Sequence, residues 1–187
     1  MSAKPVEYRI NANQFERMGE AGVFKGNVRL ELLEGSIYDL PPISLLHARC
    51  ETYLIGRFLA PVFSRRFNIT HQQPIRIDDF SEPQPDIALL RWRDDFYHYA
   101  IPTPDDVLLI IEVADSTVET DRAYKVPLYA KAGIAEAWLV NLPEEQVELY
   151  ASPANNAYQI TQTFRCGDVA QSHTIKDLNI GVSDILG

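Results

Sequence analysis

The chain has 187 residues, of which 46% are hydrophobic, and this is enough apolar material for the core of a single domain over residues 1–187. Its net charge of -9 disfavours a generic nucleic-acid binder, because nonspecific affinity depends on neutralising phosphates. Two cysteines exclude a disulfide framework, and the lack of a signal peptide or of an apolar run of about 18 residues predicts a cytoplasmic protein without a membrane span.

The first half of the chain predicts two helices around a β-hairpin, followed by strands. Apolar spacings of three and four predict helices, and Gly-containing turns between alternating segments predict a hairpin. The expected elements are a helix over residues 12–18, hairpin strands over 28–33 and 36–40, a long helix over 44–63, and strands over 67–71 and 74–77.

The second half predicts the buried part of the sheet. The expected elements are strands over residues 86–91 and 107–113, a helix within 118–132, a strand pair over 136–141 and 146–150, and a strand over 157–164. Ile180, Val182 and Ile185 near the end are expected to pack on the core. The sum is an α/β fold with a mixed sheet flanked by helices.

A carboxylate interrupts the most apolar of these strands. Residues 107–113 form a run of aliphatic side chains that is broken only by Glu112, which is the composition of a strand buried on both faces. An ionised carboxylate there carries a large desolvation penalty unless it is paired, hydrogen-bonded or bound to a cation. We therefore expect a positive group against Glu112, and an ion pair with Lys125 or an arginine is the alternative to a metal site.

A second carboxylate begins the preceding strand. Asp86 follows Pro83 and Pro85, which favour extended backbone, and an acid satisfied by backbone N–H groups is the alternative to a ligand. Two carboxylates on neighbouring strands, with the main-chain carbonyl of Val113, suit Mg²⁺, which prefers oxygen ligands and takes few carboxylates from the protein. The distant cysteines and the histidines without helical pairing exclude a structural zinc site of the usual kind.

Lys125 lies in the predicted helix that leaves the strand of the buried glutamate. Pro127 is harmless only near a first helical turn, so the regular helix either starts close to Lys125 or is kinked there. Both geometries let the lysine fold back towards the carboxylates, and a solvated helix lysine is the alternative. Asp121 is expected to cap and charge the start of the helix, and Tyr129 to pack in the core.

These motifs resemble the Uma-type (Uma-two) restriction-endonuclease-like family of the PD-(D/E)XK nuclease superfamily. The resemblance covers most of the chain and is carried by LELLEGSIYDLPPISLLHAR, PDIALLR and VLLIIEVADSTVETDRAYKVPLYAKAGIAEAWLVNLPEEQVELY. It implies a restriction-endonuclease-like sheet and a metal-dependent endonuclease that hydrolyses DNA phosphodiester bonds. The chain departs from the family pattern at Ser36, and from the short E-x-K signature of the superfamily at Ala114, which implies that the lysine has moved to the following helix.

The resemblance implies a site of four side chains. Glu31 would be the first acid, Asp86 and Glu112 with the carbonyl of Val113 would hold Mg²⁺ or Mn²⁺, and Lys125 would orient or help deprotonate the attacking water. DNA would be the substrate, and cleavage of both strands would be simplest for a homodimer. The alternatives are a non-catalytic nuclease-fold protein that binds a partner, and hydrolysis of another phosphorylated substrate.

Three further side-chain roles are open at the sequence level. Glu31 alternates with leucines in its strand and either faces water or points into the site. His47 is expected at the helix surface or a cleft edge and not as a ligand. One face of the protein would be lined by basic groups for the substrate, namely Arg49, Arg57, Arg65, Arg66, Arg91 and Arg93.

Overall fold

The computed structural model describes residues 6–26 and 28–186. Within these residues the strands are β1 Leu30–Leu33, β2 Ser36–Asp39, β3 Asn68–His71, β4 Ile87–Leu90, β5 Val107–Ala114, β6 Glu136–Asn141, β7 Gln146–Ala154, β8 Ala157–Arg165, β9 Val169–Gln171 and β10 Asn179–Gly181. The helices are α1 Ala12–Glu20, α2 Leu45–Phe63, α3 Val118–Thr120, α4 Val126–Lys131 and α5 Val182–Leu186, with a 3₁₀ turn at Pro104–Asp106 and a π-helical turn at Asp121–Lys125.

The central sheet contains β3 to β8 in chain order. β5 and β6 run parallel, and every other neighbouring pair in this sheet is antiparallel. A parallel pair needs a long crossover connection, and here it consists of α3, the π-turn and α4. The crossover starts where β5 ends. Its first helical turns therefore lie next to the end of β5 that carries Glu112.

Helices pack on both faces of the sheet. α2 and α5 cover one face, where Leu54 and Phe58 join a cluster with Trp138. On the other face Tyr129 of α4 packs with Ile110. All four residues of β4 and seven of the eight in β5 are buried, which explains the nearly uninterrupted aliphatic sequence of these strands.

The hairpin of β1 and β2 forms a small sheet of its own. Its two turn residues, Glu34 and Gly35, have φ of 49° and 86°, as a type I′ turn requires. A Cβ at Gly35 would lie 2.7 Å from the Cβ of Arg9, so a larger residue meets both strain and a clash. The hairpin docks beside the loop before β4, where the Glu82 N–H donates to the carbonyl of Leu32 at 2.7 Å.

The expected fold class is confirmed, and most predicted elements begin and end within a few residues of the observed ones. The strand predicted over residues 74–77 is wrong. There the N–H groups of Ile75 and Ile77 donate to the carbonyls of Pro83 and Ser81, and that of Arg76 donates to the carbonyl of Pro102, so the segment pairs with loops and not with the sheet. β9 and β10 were not predicted, because three residues each are too few to show alternation. Among the residues described, none of the helices has the length and apolar content that crossing a bilayer requires.

The buried carboxylate of Glu136 ties the C-terminal segment to the sheet. It accepts hydrogen bonds from Trp138 Nε1 at 2.6 Å and from Ser172 Oγ and Thr174 N at 2.8 Å each. Three donors from two parts of the chain thus share one acceptor group that is fully removed from water.

Replacing Glu136 by alanine is expected to lower the free energy of unfolding by about 3 kcal/mol, because it leaves buried donors without an acceptor. Glu136→Gln keeps one acceptor oxygen and should cost less. Urea unfolding measures both, with the exposed Glu20→Ala as the control. A loss for Glu136→Ala no larger than that of the control would contradict this role.

Candidate active site

Two strands and the crossover bring the four expected side chains together. In the antiparallel register Ile87 lies opposite Ile111, so Asp86, just before β4, faces Glu112 of β5. Lys125 arrives at the end of the π-turn, and Glu31 from the docked hairpin. All four side chains are buried, which for Glu31 decides against the solvent-facing alternative.

Lys125 lies among three carboxylates. Its Nζ is 3.2 Å from Glu31 Oε2, 3.5 Å from Glu112 Oε1 and 3.7 Å from Asp121 Oδ1. Burial alone would lower the pKa of Lys125, but the surrounding carboxylates reverse the effect and raise it above its ordinary value. The surrounding carboxylates therefore favour the ammonium form of Lys125, which donates hydrogen bonds.

Glu112 has a second buried partner. Tyr129 OH donates to Glu112 Oε1 at 2.5 Å, so the tyrosine that was expected only to pack also fixes this carboxylate. Burial raises the pKa of Glu112; Lys125 opposes the shift, and Asp86, Asp121 and Glu31 add to it. The environment thus favours a cation or a proton on Glu112 over a free anion.

The π-turn determines where Lys125 and Asp121 point. Pro127 cannot donate a backbone hydrogen bond, and the Val126 N–H reaches back five residues to the Asp121 carbonyl, which widens the helix just before α4. The sequence left open whether the regular helix starts close to Lys125 or is kinked there. Each holds in part, because α4 begins at Val126 and the helical path before it is irregular. Asp121 was expected to cap the helix; it instead lies buried in the acid cluster, where it accepts from Thr117 Oγ1 at 2.6 Å.

Arg122 secures the outer side of the same turn. It binds Glu148 of β7 with two nitrogens, Nη2 to Oε1 at 2.6 Å and Nε to Oε2 at 3.1 Å. Burial would raise the pKa of Glu148, but hydrogen bonds from Arg122, Tyr150, Asn141 and Gln146 lower it to about 2. Arg122 thereby attaches the π-turn to β7, and it does so outside the cleft.

His47 belongs to a second group of metal-ligand side chains. Its Nε2 lies 3.3 Å from Asp86 Oδ1 and 3.4 Å from Glu51 Oε1, and the three donor atoms all lie within 4.8 Å of one another. Burial lowers the pKa of His47, but the two carboxylates outweigh it and raise the pKa to about 9. The sequence signal for this group is the four-residue spacing of His47 and Glu51, which places both side chains on one face of α2.

A cleft of about 160 Å³ joins the two groups. At roughly 30 Å³ per water molecule it has room for several waters. The cleft is lined by Asp86, Glu112, Val113, Asp121, Lys125 and His47, together with Arg29, Ser44 and Thr117. Glu31 is not in the lining and reaches the site through its contact with Lys125.

The expected basic face does not surround this cleft. None of the six arginines is in the lining, and Arg91 and Arg93 follow the end of β4 that is remote from Asp86. Arg93 is paired with Asp95 at 2.6 Å. Arg29, which precedes β1, is the arginine that borders the cleft.

Comparison with known proteins agrees with the architecture. A family model described as "Uma2: Putative restriction endonuclease" matches residues 12–183. Among solved structures, the crystal structure of a "putative nuclease belonging to DUF820" from Anabaena variabilis ATCC 29413 is similar, with a TM-score of 0.75, 17% identity, and coverage of 95% of this chain and 97% of that chain. At this identity the likeness shows the fold alone. No curated protein matches the chain.

The Arg122–Glu148 contact gives a pH-dependent contribution to stability. The ordinary pKa of 4.5 falls to about 2 in the folded protein, so the stabilisation is present above pH 4.5 and is lost as the pH falls towards 2. Glu148→Gln is expected to cost about 2 kcal/mol at neutral pH, and its difference from the wild type should shrink at about pH 3.

Urea unfolding at the two pH values measures this difference. Glu119→Gln is the matched control, because Glu119 also contacts Arg122 at 2.6 Å but its side chain is 87% exposed. A Glu148→Gln penalty that is equal at both pH values would rule out the ionised pair as its source.

Proposed function

The chain belongs to the Uma2 family, and from this premise we propose that it is a metal-dependent endonuclease that hydrolyses phosphodiester bonds in DNA. The observation that carries the proposal is the meeting of Asp86, Glu112 and Lys125 at one cleft. Hydrolysis of a phosphodiester requires neutralisation of the phosphate, a place for the attacking water and a donor for the developing charge. The cleft offers side chains for each requirement.

The donor set suits a hard divalent cation. Asp86 and Glu112 would hold Mg²⁺ or Mn²⁺, with the carbonyl of Val113 as a further oxygen ligand. Three buried carboxylates lie within 3.7 Å of the buried Lys125, and the buried Asp86 faces Glu112, so a cation is needed to offset the repulsion between these acids. When bound, the ion would polarise the phosphate and help generate a nucleophile from water.

Lys125 would act as a hydrogen-bond donor. Because its pKa is raised, its ammonium would orient the attacking water or a phosphate oxygen and would not remove a proton. Glu31 and Asp121 would keep that ammonium in place from two sides. The alternative role of Lys125, to help deprotonate the attacking water, is disfavoured by the carboxylates that raise its pKa.

The acidic surface sets a condition on substrate binding. With a net charge of -9 and one arginine at the cleft, DNA would bind weakly unless the cation itself bridges to the phosphate. A homodimer, which would place two clefts on one duplex, remains part of the proposal for cleavage of both strands. Size-exclusion chromatography with and without DNA would show whether two copies assemble.

Cleavage of supercoiled, linear and single-stranded DNA with and without Mg²⁺ or Mn²⁺ tests the activity. Asp86→Asn, Glu112→Gln and Lys125→Ala are each expected to lower the rate at least about a hundredfold, because each removes a group that touches the ion, the water or the phosphate. Glu119→Gln, exposed and outside the cleft, should cleave like the wild type.

Full metal-dependent activity in Asp86→Asn would show that the site is assigned to the wrong residues. Absence of cleavage in every preparation, together with absence of metal binding, would favour the non-catalytic alternative. In that case the same acids and Lys125 act as an ion-pair network.

Thermal unfolding with increasing Mg²⁺ distinguishes a metal-binding site from an ion-pair network without a DNA substrate. If the carboxylates hold the ion, the wild type should gain about 2.7 kcal/mol when free Mg²⁺ is a hundred times its Kd, and Glu112→Gln should lose this gain. An ion-pair network alone would show no gain in either protein. Glu119→Gln again serves as the control that keeps the wild-type response.

A further inference from the structure

His47, Glu51 and Asp86 converge without forming the hydrogen bonds that their charges would suggest. Charge-assisted N–H···O bonds measure about 2.7–2.9 Å, whereas His47 Nε2 stands 3.3 Å from Asp86 and 3.4 Å from Glu51. Within the described residues, Nε2 is a buried side-chain nitrogen without an aligned hydrogen-bond partner. A buried polar atom of this kind calls for a partner that protein atoms do not supply.

The two separations that involve His47 Nε2 match those of ligands around one ion. Two ligand atoms that are each about 2.1 Å from a metal ion lie about 3.0 Å apart at a right angle and about 3.4 Å apart at a tetrahedral angle. The 3.3 Å and 3.4 Å separations fall in this range.

Two of the three side chains, Glu51 and Asp86, are held in place from outside the group. Glu51 Oε1 is 3.0 Å from His71 Nε2 and accepts from Gln72 Nε2 at 2.9 Å, both at the end of β3. Asp86 directs Oδ2 to the Val113 N–H at 2.8 Å, which leaves Oδ1 towards His47. Such outer contacts fix the orientation of metal ligands in proteins.

We propose that His47, Glu51 and Asp86 form a second cation site, which takes a divalent transition-metal ion of the Zn²⁺ or Mn²⁺ class. An imidazole nitrogen beside two carboxylates suits these ions, whereas Mg²⁺ prefers oxygen ligands alone. The site shares Asp86 with the proposed catalytic centre but does not rest on nuclease activity. His47 and Asp86 line the cleft, so an ion and its waters reach the site from there.

Isothermal titration of the apoprotein with Zn²⁺, and anomalous diffraction from crystals grown with Zn²⁺, test the site. We expect an anomalous peak between His47 Nε2 and Asp86 Oδ1, and at least a tenfold weaker affinity in His47→Gln and in Glu51→Gln. Urea unfolding of each variant checks that it is folded. Glu112→Gln is the matched control: it should keep Zn²⁺ binding while it loses the stabilisation by Mg²⁺.

Two results would overturn the proposal. One is a wild-type protein that binds no Zn²⁺ or Mn²⁺, which would leave His47 as a protonated bridge between two carboxylates. The other is unchanged Zn²⁺ affinity and stoichiometry in folded His47→Gln. If Zn²⁺ binding depends on His47 but no DNA is cleaved, the second site stands and only the proposed function fails.

Discussion

One buried ammonium connects parts of the chain that lie far apart in sequence. Lys125 contacts Glu31 of the hairpin, Glu112 of the central sheet and Asp121 of its own helical turn. Removing these charges from water costs several kcal/mol each, and their mutual contacts offset that cost together with the hydrogen bonds from Tyr129 and Thr117. The hairpin, the central sheet and the π-turn thus meet at this one cluster of charges.

The sheet topology explains why the lysine comes from a helix. β5 and β6 are parallel, so the chain must leave the sheet at Ala114 and return over one face. The π-turn at the start of this crossover has two sides. Asp121 and Lys125 point to the acids of the cleft, whereas Arg122 binds Glu148 on β7. The crossover thus supplies a site residue and is attached to the sheet by the residues beside it.

The predictable part of the site is the part that local sequence determines. The aliphatic run around Glu112, the prolines before Asp86 and the helix after β5 place three side chains through local rules and strand pairing. Glu31 was uncertain because its burial depends on the docking of the hairpin, which no local pattern shows. His47 was expected at the helix surface or a cleft edge, and it does line the cleft. Its place beside both Glu51 and Asp86 could not be predicted, because its four-residue spacing to Glu51 gains meaning only once Asp86 lies beside α2. The segment over residues 74–77 alternates like a strand, but its hydrogen-bond partners lie in loops and not in the sheet.

The hairpin of β1 and β2 has its own two-stranded sheet, and three of the four residues of β1 are buried where it docks on the rest of the fold. Structural units of this kind can open while the main sheet stays folded, at a free energy below that of global unfolding. Opening would withdraw Glu31 from Lys125 and let water reach the ammonium from behind the cleft. The hairpin is therefore the back wall of the acid cluster, and by keeping water away from Lys125 it strengthens the interactions between the buried charges.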